Sequence, residues 1–169
     1  MHEMQVYGVS FDLVGKQPIV LLKTVDGNKF LPIWIGHPEA AAILMKLQNA
    51  TTPRPMTHDL LTEILRELDA QVTRVAVTEL RENTFYAQVT IQQDGSEVEV
   101  DSRPSDAIAI AVRASAPIFV ADEVIEESGI EFEGDGEPAN EEIEAKVSEF
   151  REQLDTLTPD DFATGPEDE

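Results

Sequence analysis

The 169-residue sequence contains no cysteine and no apolar run long enough to cross a membrane. Without cysteine, neither a disulfide framework nor a thiolate metal site can form, and the chain suits a reducing compartment. The N-terminal residues also lack the basic stretch and apolar segment of a secretory signal. These absences predict a cytoplasmic protein that does not enter a membrane. Length and apolar content predict one domain followed by a tail.

Basic residues are scarce, since 12 Lys and Arg stand against 34 Asp and Glu, for a net charge of −22. The imbalance is concentrated in residues 122–169, which carry 19 acidic and 2 basic side chains. Residues 1–121 carry 15 acidic and 10 basic side chains, so their net charge is only −5. Even this part lacks the basic surface of a tight nucleic-acid binder, whose affinity comes largely from Lys and Arg on phosphates. DNA or RNA is therefore expected only as a transient substrate.

Hydrophobic periodicity predicts an α+β domain over residues 1–128. Three strands are expected in residues 4–35 and three more in residues 72–101, with a short strand at residues 118–120. Helices are expected to begin near three residues: Pro38, Thr57 and Pro104. The predicted architecture is a mixed, largely antiparallel sheet from two hairpin-rich units, with helices packed on it and a C-terminal amphipathic helix.

Two stretches of the sequence follow the same plan. VLLKTVDGNKFLPIWIGHPEAAAILMKL and VTIQQDGSEVEVDSRPSDAIAIAVR both read strand, Asp-Gly turn, strand, X-Pro, acidic first turn and apolar helix. An internal duplication would explain the correspondence. Hairpin-then-helix units with standard turn residues are common, however, so independent origin explains it equally well.

The C-terminal quarter differs from the body in composition. Residues 129–140 are rich in Gly, Pro and acidic residues, which predicts a linker. Apolar residues then recur at spacings of 4, 3, 4 and 3 from Ile143 to Leu157, which predicts an amphipathic helix over residues 141–158. Such a helix would dock on its own domain or on a partner subunit. Residues 159–169 are expected to be disordered, and the acidic tail would suit a basic protein partner.

The first polar segment with chemical potential is PRPMTHD, residues 53–59, at the start of the second predicted helix. That helix should bury five apolar residues: Leu60, Leu61, Ile64, Leu65 and Leu68. In a structural interpretation Thr57 caps the helix and Asp59 meets the positive end of its dipole. In a functional interpretation His58 is a general base or metal ligand, Asp59 lies near a metal and Arg54 faces a phosphate.

The second polar segment is DSRPSD, residues 101–106, at a strand-to-helix junction. Asp101, Arg103 and Asp106 cluster where a helix N-terminus also offers backbone N–H groups to an anion. The same residues would serve a structural role if Arg103 pairs with either aspartate and a neighbouring serine caps the helix. This segment alone does not decide between the two interpretations.

Taken together, these motifs resemble the bifunctional nuclease family. The resemblance runs over about residues 4–127 and is carried by GVSFDLVGKQPIVLLKTVDGNKFLPIWIGHPEAAAI, PRPMTHDLL, TFYAQVTI and VDSRPSDAIAIAVRASAPIFVADEV. It implies an α+β domain, usually oligomeric, with activity on DNA and RNA ascribed to some members. The characteristic polar positions of the family fall on eight residues: Glu39, Arg54, His58, Asp59, Asp101, Arg103, Ser105 and Asp106.

The leading hypothesis is a metal-dependent nuclease that hydrolyses phosphodiester bonds in DNA and RNA with little sequence preference. Three carboxylates would hold Mg²⁺ or Mn²⁺: Asp59, Asp101 and Asp106. His58, Arg103 and Asp106 would be catalytic, with His58 activating water and Arg103 offsetting charge on the transition state. Arg54 and Ser105 would bind substrate. The alternative is a non-enzymatic oligomeric regulator or adaptor that binds a small anionic ligand or a protein partner.

Overall fold

The structure is a computed structural model that describes residues 1–12, 14–131, 152 and 156–163. Most of the predicted tail helix, residues 141–158, lies outside the described residues. Within them, eight strands form one mixed, mostly antiparallel sheet: β1 His2–Phe11, β2 Pro18–Thr24, β3 Lys29–Trp34, β4 Gln71–Arg81, β5 Thr84–Gln93, β6 Ser96–Ser102, β7 Ile118–Val120 and β8 Ile130–Glu131. Four α-helices accompany the sheet: α1 His37–Leu47, α2 Thr57–Glu67, α3 Pro104–Ala114 and α4 Asp122–Ser128. The predicted α+β class is confirmed.

The sheet has the strand order β6-β5-β4-β7-β1-β2-β3-β8. Strands β1 to β3 and strands β4 to β6 are two antiparallel meanders, each followed directly by a helix, α1 or α3. Strand β7 lies between them, antiparallel to β1 and parallel to β4. The two meanders therefore run in opposite directions, as two copies related by a twofold axis would. This topology agrees with the duplication suggested by the sequence.

The hydrophobic core lies between the sheet and helices α1 and α3. Alternate strand residues such as Val20 and Val75 point into it, because successive strand side chains face opposite sides of the sheet. Helix α3 is rich in alanine and is buried from Pro104 to Ala111, except for Asp106. Its small side chains allow the helix to lie close to both the sheet and α1. The first turns of α1 and α3 are thereby fixed relative to each other.

Helix α2 corrects two predictions. The five apolar residues expected to be buried are not: Leu60, Leu61, Ile64 and Leu68 are exposed, and Leu65 is half-buried. His58 is instead the only fully buried residue of α2. The amphipathic pattern gives the apolar face of a helix but not the element that covers it. Thr57 also does not cap α2, since Met56 is the N-cap and its backbone N–H donates to the Asp59 carboxylate at 3.0 Å.

Among the described residues beyond β7, three stretches form regular structure that their composition does not indicate. Helix α4 was not predicted, and Ile130–Glu131, within the predicted linker, form β8 by pairing with Lys29 and Phe30 of β3. Pro159–Phe162, within the predicted disordered tail, instead form a 3-10 helix. Phe162 is buried, with its ring stacked on Phe11 of β1 at 4.5 Å between centroids. Packing on the domain supplies order that local propensity does not.

Candidate functional site

The N-termini of α1 and α3 meet at an arginine. Glu39 is the third residue of α1 and Asp106 the third residue of α3, so each carboxylate lies in the first turn of its helix. Arg103 donates from Nε to Asp106 Oδ2 at 2.8 Å and from Nη2 to Glu39 Oε1 at 3.0 Å. These bonds raise the pKa of the Arg103 guanidinium, so it stays charged. Its side chain is 67% exposed, so a fixed positive charge faces solvent between two helix starts.

His58 joins this arrangement from α2. Its Nε2 lies 2.9 Å from Asp106 Oδ1, while its side chain is only 10% exposed. An ionised carboxylate only accepts hydrogen bonds, so the contact selects the tautomer, or the charged form, with a proton on Nε2. In the neutral ring, Nδ1 is then the nitrogen that can take up a proton. Histidine, aspartate, arginine and glutamate form one hydrogen-bonded row across three helices.

A second polar contact lies one residue further along α2. Asp59 Oδ1 accepts from Nε of Arg113 at 2.6 Å, and Arg113 is only 5% exposed. Burial raises the pKa of Asp59, but the hydrogen bonds from Arg113 and from the backbone N–H of Met56 outweigh it and hold that pKa below its usual value. Asp59 is therefore a charged partner of Arg113 within the fold.

The predicted residues are only partly brought together. Asp106 contacts both His58 and Arg103, so these three predicted residues lie together. Asp101 lies on the exposed strand β6, and Arg54 lies exposed in the loop before α2. Ser105 is buried in the first turn of α3.

The three predicted metal ligands do not form one set. Asp106 is bonded to His58 and Arg103, Asp59 is bonded to Arg113, and Asp101 lies on another element. Within the described part of the chain, no three His, Asp or Glu side chains form a group that could hold a metal ion. A divalent cation needs several converging oxygen ligands, but Asp59 already faces Arg113, and Asp106 faces Arg103 and His58. As the structure places them, the three predicted ligands therefore do not fit one metal centre.

Two members of the site carried little or no signal in the sequence. Glu39 stood out only as a family position and as the acidic residue in the first turn of the first repeat unit. Arg113 is the last-turn arginine of an otherwise apolar helix, where a cation favoured by the helix dipole is common. The sequence does not show that this arginine is buried. Only the packing of α1 and α2 against α3 places these side chains at the site.

The bifunctional nuclease domain model matches residues 20–133, and the chain belongs to this family. The matched region contains every residue of the site described above. The class of protein is therefore a bifunctional nuclease domain on an α+β scaffold, as the sequence motifs predicted.

Relatives fall into two groups. The chain is 39% identical over 164 residues to an uncharacterized protein of Mycobacterium tuberculosis (strain ATCC 25618 / H37Rv), covering 96% of this chain and 98% of the relative. It is 30% identical over 115 residues to Bifunctional nuclease 1 of Oryza sativa subsp. japonica, covering 66% of this chain and 35% of the relative. It is 28% identical over 137 residues to Bifunctional nuclease 2 of the same plant, covering 79% and 41%. The chain thus spans well under half of these plant relatives.

No helix among the described residues is long and apolar enough to cross a membrane. The cytoplasmic location stays a prediction.

Proposed function

We propose that the chain is a nuclease that hydrolyses phosphodiester bonds in DNA and RNA, with His58, Asp106 and Arg103 as its catalytic residues. The observation that carries the proposal is the contact of Asp106 with both other residues, at 2.9 Å and 2.8 Å. One carboxylate thereby orients a base and a phosphate-binding cation. The names of the plant relatives support the same chemistry.

In the proposed reaction His58 is the general base. Asp106 holds Nε2–H, so Nδ1 takes the proton from an attacking water. As the water oxygen bonds to phosphorus, the P–O bond to the leaving ribose oxygen breaks, and the proton on Nδ1 passes to that oxygen. Arg103 binds the scissile phosphate and offsets the negative charge that grows on its oxygens. A positioned general base contributes about 10²- to 10⁴-fold in rate. Arg54 and Ser105 stay predicted substrate contacts, with Arg54 on the exposed approach to the site.

Metal dependence is the part of the hypothesis that the geometry supports least. The proposed steps involve only side chains of this chain, because the three predicted ligands do not converge. Mg²⁺ or Mn²⁺ dependence therefore stays a separate prediction, which the assay tests directly.

The test is cleavage of single-stranded DNA and RNA at low salt, with Mg²⁺, with Mn²⁺ and with EDTA. His58→Ala and Arg103→Met should each lower the rate at least about 100-fold. His2→Ala is the matched control, because His2 is an exposed histidine that pairs with Asp122 away from the site. Cleavage that survives His58→Ala would rule out the proposed base. Cleavage that continues in EDTA would show that the reaction does not depend on a divalent metal ion.

A second candidate, an oligomeric regulator or adaptor, is favoured by one surface. The α2 surface consists of exposed apolar residues on α2 and on edge strand β6: Met56, Leu60, Leu61, Ile64, Leu68, Val98 and Val100. Gln93 donates to the backbone oxygen of Leu68 and pairs with Ser96, which places the end of α2 beside the start of β6. A group of exposed large apolar residues on neighbouring elements is typical of a protein contact.

We propose that a second copy of the chain covers the α2 surface. Light scattering should give a mass of at least twice 18.7 kDa, and Ile64→Glu should reduce it to that of one chain. Glu67→Gln, on the same helix, is the matched control. A monomeric unmodified protein would contradict this proposal. A stable oligomer without nuclease activity would favour the regulator. The basic partner predicted for the acidic tail concerns residues mostly outside the described part and stays a prediction.

A further inference from the structure

Helix α2 contacts the rest of the domain at three places: its first turn, Leu65, which packs on the hydrophobic core, and Leu68, whose backbone oxygen accepts from Gln93. Two polar contacts join the first turn to α3: His58 to Asp106 and Asp59 to Arg113. The large apolar residues of the α2 surface are exposed, so the two polar contacts are the specific bonds that hold the first turn to α3. His58 lies in this turn, next to Asp59.

We propose that Arg113 is a positioning residue that holds His58 against Asp106. Arg113 does not itself reach the row of reacting side chains, since no hydrogen bond joins it to His58, Asp106 or Arg103 among the described contacts. It acts through Asp59, the residue next to His58. The inference rests on the proposed function, in which His58 is the base.

The geometry of Arg113 suits this role. Its Nε donates to Asp59 Oδ1 on α2 at 2.6 Å, its Nη1 to Ala109 O on α3 at 3.0 Å, and its Nη2 to Ala42 O on α1 at 3.0 Å. A guanidinium is planar and rigid, so three bonds in different directions fix both its position and its orientation. One side chain thus joins the three helices that contribute Glu39, His58 and Asp106.

Asp59 transmits this constraint to the start of α2. While Oδ1 is held by Arg113, Oδ2 accepts the backbone N–H of Met56 at 3.0 Å. The carboxylate therefore fixes the residue at which α2 begins, and His58 lies in that same turn. Loss of the Arg113 contact frees the turn to move relative to α3. Reaction rates are sensitive to displacements of about 1 Å, which can cost up to about 100-fold.

The test compares Arg113→Met with the unmodified chain. Methionine keeps most of the length and apolar stem of arginine but makes none of the three bonds. We expect kcat to fall between about 10- and 100-fold, with KM changed less than about threefold, because the phosphate contacts remain. Arg113→Lys keeps a cation near Asp59 and should recover part of the rate.

A second measurement is independent of activity. The chain has three histidines, so NMR signals of the imidazole ring of His58 can be assigned by comparison with His58→Ala. In Arg113→Met those ring signals should shift, while the signals of His2 and His37 stay in place. The control is Arg66→Met, which removes an exposed arginine of α2 that pairs with Glu63. Circular dichroism confirms that each variant is folded.

The outcomes separate this inference from the proposed function. If folded Arg113→Met leaves the His58 signals unchanged, Arg113 does not position that residue and the inference is wrong. If the signals shift but the unmodified chain cleaves no nucleic acid, the nuclease proposal fails while the positioning contact stands. An equal response to Arg66→Met would show a general effect of losing positive charge and would also overturn the inference.

Discussion

Replacing Phe162 with alanine should destabilise the protein, although this residue lies near the end of an acidic tail. Its side chain is 1% exposed, and its ring is stacked on Phe11 at an interplanar angle of 13°. The segment is also held by the Gln48 side chain, which donates to the backbone oxygen of Leu157 at 2.9 Å. Asp161 accepts the backbone N–H of Thr158 at 2.7 Å, which closes the short helix on itself.

The magnitude follows from the apolar area that the ring covers. A buried aromatic side chain removes about 150–250 Å² from water, worth about 4–6 kcal/mol as an upper estimate. Measured truncations of buried phenylalanine to alanine cost about 3–5 kcal/mol. The segment around Phe162 can detach without unfolding the sheet, so the observed loss is limited to its docking free energy. We expect about 3 kcal/mol, or a fall in Tm of roughly 6–12 °C for a chain of this size.

Thermal unfolding followed by circular dichroism measures this loss. Phe162→Leu keeps an apolar side chain and should recover most of the stability. A chain that ends at residue 155 should melt close to Phe162→Ala, because both lack the same docked ring. A Tm of Phe162→Ala within about 1 °C of the unmodified chain would refute the reasoning, since it would mean that the stacked ring adds no stability.

Three further predictions concern charge, packing and the site. The pKa of Asp59 is lower in the folded chain than its unfolded value of about 4, so the ionised carboxylate adds stability at pH values above that unfolded pKa. This stability is lost as the pH falls through the folded pKa, and Asp59→Asn should remove this part of the acid dependence in urea titrations. Gly129→Ala should lower Tm by several degrees, because a Cβ there would lie 2.3 Å from the backbone oxygen of Ile125, whereas Gly15→Ala, with its nearest atom at 3.6 Å, should not. Arg103→Lys should raise KM for RNA in steady-state kinetics, since lysine cannot form the same paired bonds, and an unchanged KM would exclude a phosphate contact.

The sequence predicted the sheet and the main helices because their signals are local. Asp-Gly turns, alternating apolar residues and X-Pro helix starts each act over a few residues, and the two repeat units use the same ones. Strand β7 and the helix starts at Pro38 and Pro104 fall where expected. The acidic first turn of each unit, with Glu39 in one and Asp106 in the other, was also visible in the sequence.

The exposed face of α2 and the buried Phe162 could not be predicted in the same way. Leu60 and Ile64 have the spacing of a buried helix face, but burial depends on which neighbour lies opposite. Phe162 lies in a strongly acidic context that favours disorder, and its partner Phe11 is distant in sequence. Long-range packing decides both cases, and no local pattern encodes it.

The two arginines of the site show why burial separates the interpretations that the sequence left open. Arg103 forms the ion pairs that a structural interpretation required, yet at 67% exposure such pairs contribute only about 0–1 kcal/mol to stability. Of its two partners Asp106 is the more exposed, at 28% against 14% for Glu39, so a substrate phosphate would displace Asp106 from Arg103 more readily than Glu39. Arg113, at 5% exposure, would be left buried and uncompensated if it lost Asp59, which is strongly destabilising. The exposed arginine is thus suited to exchange partners during a reaction, and the buried one to hold the helices in place.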